Sequence, residues 1–390
     1  MNFYKGQLNN INWRWDMKNY IKNMSEEDTV LLNLKRLYDS YGYNKITLPT
    51  FDEYDLYNEN KDFISGNILT IMNPSGKLLA LRPDITLSVA KKISKEQSLK
   101  YEKIYYSENV YKASKYKGYE EIEQLGIELI GKDSLFLNFE MINLAIKSLQ
   151  IINSECITVL SHVGFASSIF EDLNLEYEVQ EELFKYIESK NSHDIRKILE
   201  NINIESNVKE LICVLPELSG DLEYIKNRLS GYAVNEKMGK ILEELEKLYK
   251  LLRKFHEKSK IIFDFSIVKN LNYYNGIIIQ GFIEGLPNMI LTGGRYDRLF
   301  EKFGVDNGAI GFAILTDNLK GYYKDEGKKD FEILLVYDDS DYEKLSEIID
   351  DFIEKGYRIR AEHYKNINDE NVELFNFDKR YMFKDGILIE

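Results

Sequence analysis

A block of helices interrupts the strand pattern of this 390-residue chain, and the interruption limits the folds that it can adopt. Strand-like apolar runs occur before residue 172 and return after residue 256, as in residues 157–160 and 261–265. Between them, apolar residues recur at helical spacing, for example Leu245, Leu248 and Leu252. We therefore predict an α+β core, an antiparallel sheet with flanking helices, formed by residues 1–171 and 257–322. Residues 172–256 are predicted to be a helical insertion in it.

Beyond the core, the sequence predicts a second, smaller domain. Residues 322–330 are polar and charged and contain Gly327, which is typical of a linker. Residues 331–337 and 357–361 have strand character, residues 342–355 have helical character, and residues 380–389 are expected to add one or two strands. We predict a small C-terminal α/β domain at residues 331–390.

Local signals define several elements of the core. Ser25 is followed by three acidic residues and by leucines at helical spacing, so a helix is predicted to start there and to end at Gly42. A short strand is expected at residues 46–49. Residues 101–131 are predicted to form strand, loop and strand, with residues 115–118 in the loop. An amphipathic helix is expected at residues 135–150.

The overall composition argues against several classes of protein. The formal net charge is −14 and the pI is near 5.1, whereas a protein that grips RNA usually has a basic face. The two cysteines, Cys156 and Cys213, are expected to be core residues, and the scattered histidines form no metal site. No cofactor is predicted. Because there is no signal peptide and no apolar run of about 20 residues, we predict a cytoplasmic protein without a membrane span.

Five segments carry a specific pattern and are found at residues 41–49, 81–86 (LRPDIT), 104–131, 268–274 (VKNLNYY) and 291–319, which contains LTGGRYD and GFAILTDNL. Together they resemble the class II histidyl-tRNA synthetases. Residues 41–49 resemble motif 1, residues 107–131 motif 2, residues 268–274 the histidine-specific motif, and residues 311–319 motif 3. The resemblance covers roughly residues 25–320 and implies a class II aminoacyl-tRNA synthetase-like fold. The LTGGRYD segment is expected to be scaffold.

Three arginines of the resembled family are absent. Their positions are occupied by Lys112 in the motif 2 segment, Lys269 in the histidine-specific segment and Asn318 in the motif 3 segment. Adenylate formation needs the charge on the ATP α-phosphate to be neutralised, and the planar fork of arginine suits this task. Loss of one such donor costs roughly 3 kcal/mol of transition-state stabilisation. The loop at residues 113–123 also looks shorter than in the synthetases. We therefore predict no catalytic residue and no aminoacylation.

The amino-acid pocket of the resembled family is largely retained. The resemblance implies that Asp84, Thr86 and Gln124 contact the α-amino group of bound histidine, and that Glu128 lies near its imidazole. It further implies that Tyr273 and Tyr274 form a wall, and that Lys112 lies in the same pocket. Carboxylates suit an ammonium group and phenols suit ring nitrogens. The departures from the family are Asp84 in place of glutamate and Asn272 in place of aspartate. Taken singly, the tyrosines could be core aromatics and Glu128 an exposed strand residue.

This combination resembles the regulatory subunits of ATP phosphoribosyltransferase, which are histidyl-tRNA synthetase-like proteins without aminoacylation activity. The resemblance implies a partner, the short catalytic subunit, which needs the regulatory subunit for activity and for feedback inhibition by histidine in the first step of histidine biosynthesis. It also implies a homodimer formed through residues 36–55. We expect tRNA to bind weakly or not at all. The histidine could occupy the synthetase-like pocket or lie at the subunit interface.

Two other hypotheses remain open at this point. The chain could be an active histidyl-tRNA synthetase with divergent motifs, which would predict a basic RNA-binding surface and a full anticodon-binding domain. It could also be a stand-alone amino-acid sensor or a tRNA-binding paralogue. The acidic net charge, Asn318 and the short C-terminal domain argue against an active synthetase.

Overall fold

The structure is a computed structural model that describes all of the chain except residues 1–23, 65, 96–100, 115–117, 174, 233, 269–272, 306, 324–328, 368–371 and 374. The described residues separate into a large unit, Val30–Tyr322, and a small unit that contains Tyr323–Glu390. The break falls between Tyr322 and Tyr323. The large unit is not divided further, so the boundaries of the helical insertion stay predictions.

The helices of the large unit are α1 Glu26–Ser40, which starts just before it, α2 Tyr54–Asn58, α3 Ile85–Lys95, α4 Leu135–Ile152, α5 Val163–Leu173, α6 Tyr177–Glu188, α7 Ser192–Glu200, α8 Ser206–Val214, α9 Leu222–Leu229, α10 Glu236–Phe255 and α11 Asp297–Lys302. The predicted start of α1 is confirmed, because the Ser25 hydroxyl accepts a hydrogen bond from the Asp28 amide. Gly42, at φ 77°, follows the helix in the left-handed conformation that glycine tolerates best.

The strands of the large unit are β1 Asn44–Lys45, β2 Phe51–Glu53, β3 Thr70–Met72, β4 Leu78–Leu81, β5 Glu102–Ser114, β6 Gly118–Gly131, β7 Cys156–His162, β8 Ser219–Gly220, β9 Lys260–Asp264, β10 Ile277–Ile283, β11 Leu291–Arg295 and β12 Gly308–Leu315. Nine of them form one sheet in the order β1-β5-β6-β12-β11-β10-β7-β9-β8. The α+β class is confirmed.

The main sheet is mixed, which corrects the prediction of an antiparallel sheet. Its central strands are antiparallel, but β1 pairs parallel with β5 and β7 pairs parallel with β9. The helices-only description of residues 172–256 is also corrected, because β8 lies within them and pairs with β9. Apolar periodicity within one strand did not reveal strand direction, because direction depends on the partner strand and on the connection between the two.

Two further expectations about strands change. The strand expected at residues 46–49 is absent there, since β1 ends at Lys45 and β2 starts at Phe51. Instead, β2, β4 and β3 form a separate three-stranded sheet. Most of the loop expected at residues 113–123 is paired strand, because β5 and β6 form a hairpin whose last pair is Ser114 with Gly118. The connection between these strands therefore spans only residues 115–117.

Helix α4 is the central helix of the large unit. It packs against β7, β10 and β12 on one side and α10 on another, so most of its residues are buried rather than only one face. It is long and apolar enough to cross a membrane, but 67% of its most apolar window is buried inside the protein. Its buried polar groups are hydrogen-bonded, as in the contact of Glu140 with Tyr43 and of Asn143 with His256. Helix α4 is therefore a core helix.

The small unit contains β13 Ile333–Tyr337, α12 Tyr342–Glu354, β14 Ile359–His363, β15 Lys379–Lys384 and β16 Ile387–Ile389. The sheet order is β14-β13-β15-β16, with the first three strands parallel and β16 antiparallel. Leu335, Leu345 and Phe383 form a core with α12, and Phe331, Leu334 and Val336 form a second one. The predicted small α/β fold agrees with this arrangement.

Candidate functional site

Glycines at the centre of the main sheet leave room for a cavity. Gly126, Gly293 and Gly311 lie on β6, β11 and β12. A Cβ at Gly311 would overlap the Glu128 carboxylate, and one at Gly126 would overlap the Tyr106 ring. A Cβ at Gly293 would overlap the Gly311 carbonyl. Because these positions carry no side chain, the neighbouring side chains can lie close to the sheet and surround a space above it.

The cavity has a volume of about 380 Å³ and collects residues from distant parts of the chain. All seven residues that the sequence singled out line it, namely Asp84, Thr86, Lys112, Gln124, Glu128, Tyr273 and Tyr274. Gln124 and Glu128 are four residues apart on β6, so the alternation of the strand places them on the same face. The cavity is large enough for a small molecule such as an amino acid.

Glu128 is the most buried polar group of the cavity, with 2% of its surface exposed. Its Oε1 atom accepts hydrogen bonds from the Thr86 hydroxyl at 3.1 Å and the Tyr106 hydroxyl at 3.2 Å. Its Oε2 atom accepts from the Tyr296 hydroxyl. Burial raises the pKa of Glu128 to about 8, and the negative charge of Asp84 adds to the rise, while the three hydroxyl bonds oppose it.

Asp84 has a structural role at the start of α3 and also lines the cavity. Its Oδ1 atom accepts a hydrogen bond from the Leu87 amide at 2.8 Å and so caps the start of α3. Burial raises the pKa of Asp84 to about 6, and the backbone hydrogen bonds and the charge of Lys112 oppose this rise. Among the described residues that line the cavity, Lys112 is the one cation, beside the acids Asp62, Asp84 and Glu128.

Aromatic residues form part of the cavity wall. Tyr273 contacts Tyr274 with ring centroids 4.9 Å apart and Tyr296 at 5.7 Å. Phe63 packs edge-on against Tyr273 at 6.2 Å. Burial raises the pKa values of Tyr106, Tyr273 and Tyr296 well above their usual range, so these phenols stay neutral hydrogen-bonding groups. The arrangement suits a ligand that has a planar polar ring.

Two tyrosines of the cavity were missed by the sequence analysis. Tyr106 was treated only as a strand residue, and Tyr296 was included in the LTGGRYD segment that was expected to be scaffold. Both hydroxyl groups contact Glu128. Alternation along β5 and β6 could have placed Tyr106 near Glu128, since Ile104 pairs with Glu128 in the hairpin, but nothing local in the sequence joins Tyr296 to β6.

The segment that resembles motif 3 turns its polar side chains to the backbone. The Asn318 side-chain amide donates to the Met289 carbonyl at 2.8 Å, and Thr316 donates to the Glu123 carbonyl at 3.0 Å. Asn318 therefore ties two segments together and is not among the residues that line the cavity. Lys269 and Asn272 lie outside the described residues.

Two arginines of the sequence motifs, Arg82 and Arg295, are bound to protein groups. Arg82 is 1% exposed and donates to the carbonyls of Pro49 and Asn109 and to the Glu108 carboxylate. Arg295, in the LTGGRYD segment, forms ion pairs with Asp133 and Asp297. These contacts agree with a scaffold role for both side chains.

A larger cleft of about 1040 Å³ lies between α6, α10 and the core. Asp62 and Tyr274 line both this cleft and the smaller cavity. The described lining of the cleft carries six acidic and four basic residues, the acids being Asp62, Glu171, Glu181, Glu188, Glu244 and Glu301. Such a surface does not favour a phosphate backbone. The described residues contain no cluster of three or more side chains that could hold a metal ion.

Comparison with known proteins gives the family from sequence. Residues 22–319 match the family model described as histidyl-tRNA synthetase. An ATP phosphoribosyltransferase regulatory subunit of Caldanaerobacter subterraneus subsp. tengcongensis is 32% identical over 355 residues, which cover 88% of this chain and 92% of the relative.

Solved structures share the fold. A Bacillus halodurans protein described as an ATP phosphoribosyltransferase regulatory subunit/histidyl-tRNA synthetase superposes with a TM-score of 0.80 at 23% identity, over 92% of this chain and 94% of that one. A chain of the ATP phosphoribosyl transferase complex from Thermotoga maritima superposes with a TM-score of 0.60 at 17% identity, over 74% of this chain and 97% of that one.

Proposed function

The chain belongs to the family of ATP phosphoribosyltransferase regulatory subunits, which is built on the histidyl-tRNA synthetase fold, and we propose that it controls a short catalytic phosphoribosyltransferase subunit in response to histidine. The observation that carries the proposal is the pairing of a complete amino-acid cavity with a motif 3 segment whose Asn318 bonds to the backbone. The complex is inhibited when histidine fills the cavity, through a coupling of the two binding equilibria.

The cavity matches free histidine group by group. The Asp84 carboxylate meets the α-ammonium, with Thr86 and Gln124 beside it, and the Lys112 ammonium meets the α-carboxylate. Glu128 and the phenols of Tyr273 and Tyr274 meet the imidazole ring. Support comes from the joint location of these side chains and from the single lysine among three acids in the described lining. A histidine site at the subunit interface is the competing hypothesis.

Aminoacylation is not expected of this protein. Asn318 carries no charge, and its amide donates to the Met289 carbonyl instead of facing a phosphate. Lys112 lacks the planar fork that binds a phosphate through two hydrogen bonds. The short connection after Ser114 leaves little backbone to cover ATP. Histidine-dependent ATP–pyrophosphate exchange at about 1 per second, a rate ordinary for enzymes, would contradict this part of the proposal.

We also propose a homodimer through residues 36–55 and the adjoining three-stranded sheet. One face of that sheet carries Phe51 and Ile71, which are 45% and 46% exposed, beside the partly buried Leu79 and Leu81. Exposed aromatic and aliphatic side chains grouped on one sheet face are typical of an interface. This prediction remains to be tested by the mass of the protein in solution.

Weak or absent tRNA binding and a cytoplasmic location complete the proposal. Residues 331–390 contain 16 Asp and Glu against 8 Lys and Arg, a net charge of −8, so the small unit repels a phosphate backbone. A cytoplasmic location follows from the partner's place in amino-acid synthesis.

The decisive experiment mixes the purified protein with a short-form catalytic subunit and follows phosphoribosyl-ATP formation. We expect the rate to rise with the ratio of the two proteins and to fall when histidine is added. Glu128→Ala should weaken inhibition about tenfold to a hundredfold, since a buried hydrogen-bonding partner is lost. Glu200→Gln, on the exposed end of α7, is the matched control and should behave as the wild type. A rate independent of this protein at every ratio would refute the proposal, and unchanged inhibition of Glu128→Ala would place histidine elsewhere.

A further inference from the structure

Among the described residues, Glu128 has three hydroxyl hydrogen-bond donors and no positively charged partner. The described groups that face it are Tyr106 from β5, Asp84 and Thr86 from the start of α3, Tyr273 and Tyr274 before β10, and Tyr296 after β11. Each of these is a neutral hydroxyl group or another acid. A buried carboxylate without a cation is costly, because the interior solvates charge poorly.

Lys112, the one lysine among the described residues that line the cavity, acts on Asp84. The charge of Lys112 opposes the pKa rise of Asp84, whereas the pKa of Glu128 responds mainly to burial, to its three hydroxyl donors and to Asp84. The two acids therefore differ in protonation state near pH 7. Asp84, with a pKa of about 6, is mostly ionised, and Glu128, with a pKa of about 8, holds its proton.

We propose that Glu128 is a neutral carboxylic acid that donates its proton to the unprotonated ring nitrogen of bound histidine, so that the site recognises the neutral imidazole and loses affinity when this proton leaves. The inference rests on the proposed function, since it concerns the same cavity and ligand. No covalent bond changes, and the proton stays in the hydrogen bond between the carboxyl oxygen and the ring nitrogen.

The alternative, an ionised Glu128 that pairs with an imidazolium, has different consequences. Free imidazole has a pKa near 6.5, so at pH 7.5 only about a tenth of histidine carries the ring proton. An ionised Glu128 would then require uptake of almost one proton on binding, and affinity would fall from about pH 6.5 upward. A neutral Glu128 already supplies the proton, so binding at pH 7 takes up almost none and affinity falls only above about pH 8.

The test is calorimetric titration of L-histidine into the full chain. The wild type and Glu128→Gln are compared at pH 7 and pH 9, each in two buffers of different ionisation enthalpy. Glutamine has the shape of the neutral acid and donates through its amide, so Glu128→Gln should bind within about threefold of the wild type at pH 7. Between pH 7 and pH 9 the wild type should lose about tenfold more affinity than Glu128→Gln, the factor expected for one group with a pKa of about 8. Histidine also loses its ammonium proton as the pH rises, and Asp84 can change its charge. Both effects alter the affinity of the two proteins equally, so they cancel in the comparison.

The number of protons that the wild type takes up on binding histidine can be measured without a variant. This part of the test therefore does not depend on whether Glu128→Gln folds. Uptake of close to one proton at pH 7.5 would overturn the inference, as would a folded Glu128→Gln that binds more than about 30-fold more weakly at pH 7. If the wild type binds no histidine at all, alone or with the catalytic subunit, the proposed function fails together with the inference. If histidine binds but the proton uptake is close to one, the inference is refuted and the proposed function is not.

Discussion

Replacement of Arg82 by methionine is expected to destabilise the large unit by about 3–5 kcal/mol, the range for loss of one partner from a buried ion pair. Arg82 lies in the LRPDIT segment, whose resemblance to a synthetase motif could suggest a ligand contact, but it does not line the cavity. Its side chain is 1% exposed and is fully engaged with the protein. Methionine has a similar length and no charge, so the change removes the contacts with little change in volume.

The magnitude follows from the groups that the change would leave without a partner. The guanidinium donates to the Pro49 carbonyl at 2.8 Å, to the Asn109 carbonyl at 2.8 Å and to the Glu108 carboxylate at 3.0 Å. Each buried acceptor without a partner costs about 1–3 kcal/mol. Glu108 also accepts a hydrogen bond from the Leu48 amide, so a carboxylate that loses its cation disturbs the chain near β1 and β2. The Glu108 side chain is 14% exposed, so some water reaches it. The expected cost is therefore lower than the sum of the costs of the separate unpaired acceptors.

Urea denaturation followed by circular dichroism measures the effect. Arg82→Met should unfold at lower urea, and Arg82→Lys should recover only part of the loss, because one ammonium group cannot reach three acceptors in different directions. The double variant Arg82→Met with Glu108→Gln should be more stable than the sum of the two single changes predicts, since the unpaired charge is gone. Arg298→Met, at an exposed site on α11, is the control and should change stability by less than about 0.5 kcal/mol. An Arg82→Met variant within 1 kcal/mol of the wild type would refute the reasoning.

Three other predictions follow from the same structure. Gly311→Ala should abolish histidine binding in calorimetry, because the new methyl group would overlap Glu128, whereas Gly239→Ala, with open space around it, should bind normally. Ile71→Asp should convert a homodimer to a monomer in light scattering, while Tyr177→Asp, at an exposed site on the insertion, should not. The unfolded chain releases the Glu128 proton near pH 4.5 and the folded chain near pH 8, so this residue lowers the free energy of unfolding by about 1.4 kcal/mol per pH unit between those values. In urea denaturation at several pH values, Glu128→Gln should lack that slope, and equal slopes would contradict the buried neutral acid.

The sequence by itself determined the local elements of this protein. Capping at Ser25, the apolar stripe of α10 and the strand character of β5, β6 and β9 follow from interactions within a few residues, so they could be predicted. The resemblance of the specific segments also identified the family and seven of the residues that line the cavity. The local elements could be predicted because side-chain periodicity and turn chemistry are properties of short segments, whereas the cavity residues came from the resemblance to the family.

The tertiary structure alone decided how those segments meet. Residues 128 and 296 are far apart in the chain, and the pairing of β6 with β12 and of β12 with β11 brings them together over glycines. The same pairing surrounds Glu128 with hydroxyl groups, so its protonation state is a property of the packed site. Strand direction, the separate sheet of β2, β4 and β3, and the backbone contact of Asn318 likewise depend on partners distant in sequence. Short-range patterns carry no information on such partners, because hydrogen bonds and desolvation between remote segments exist only after the chain has folded.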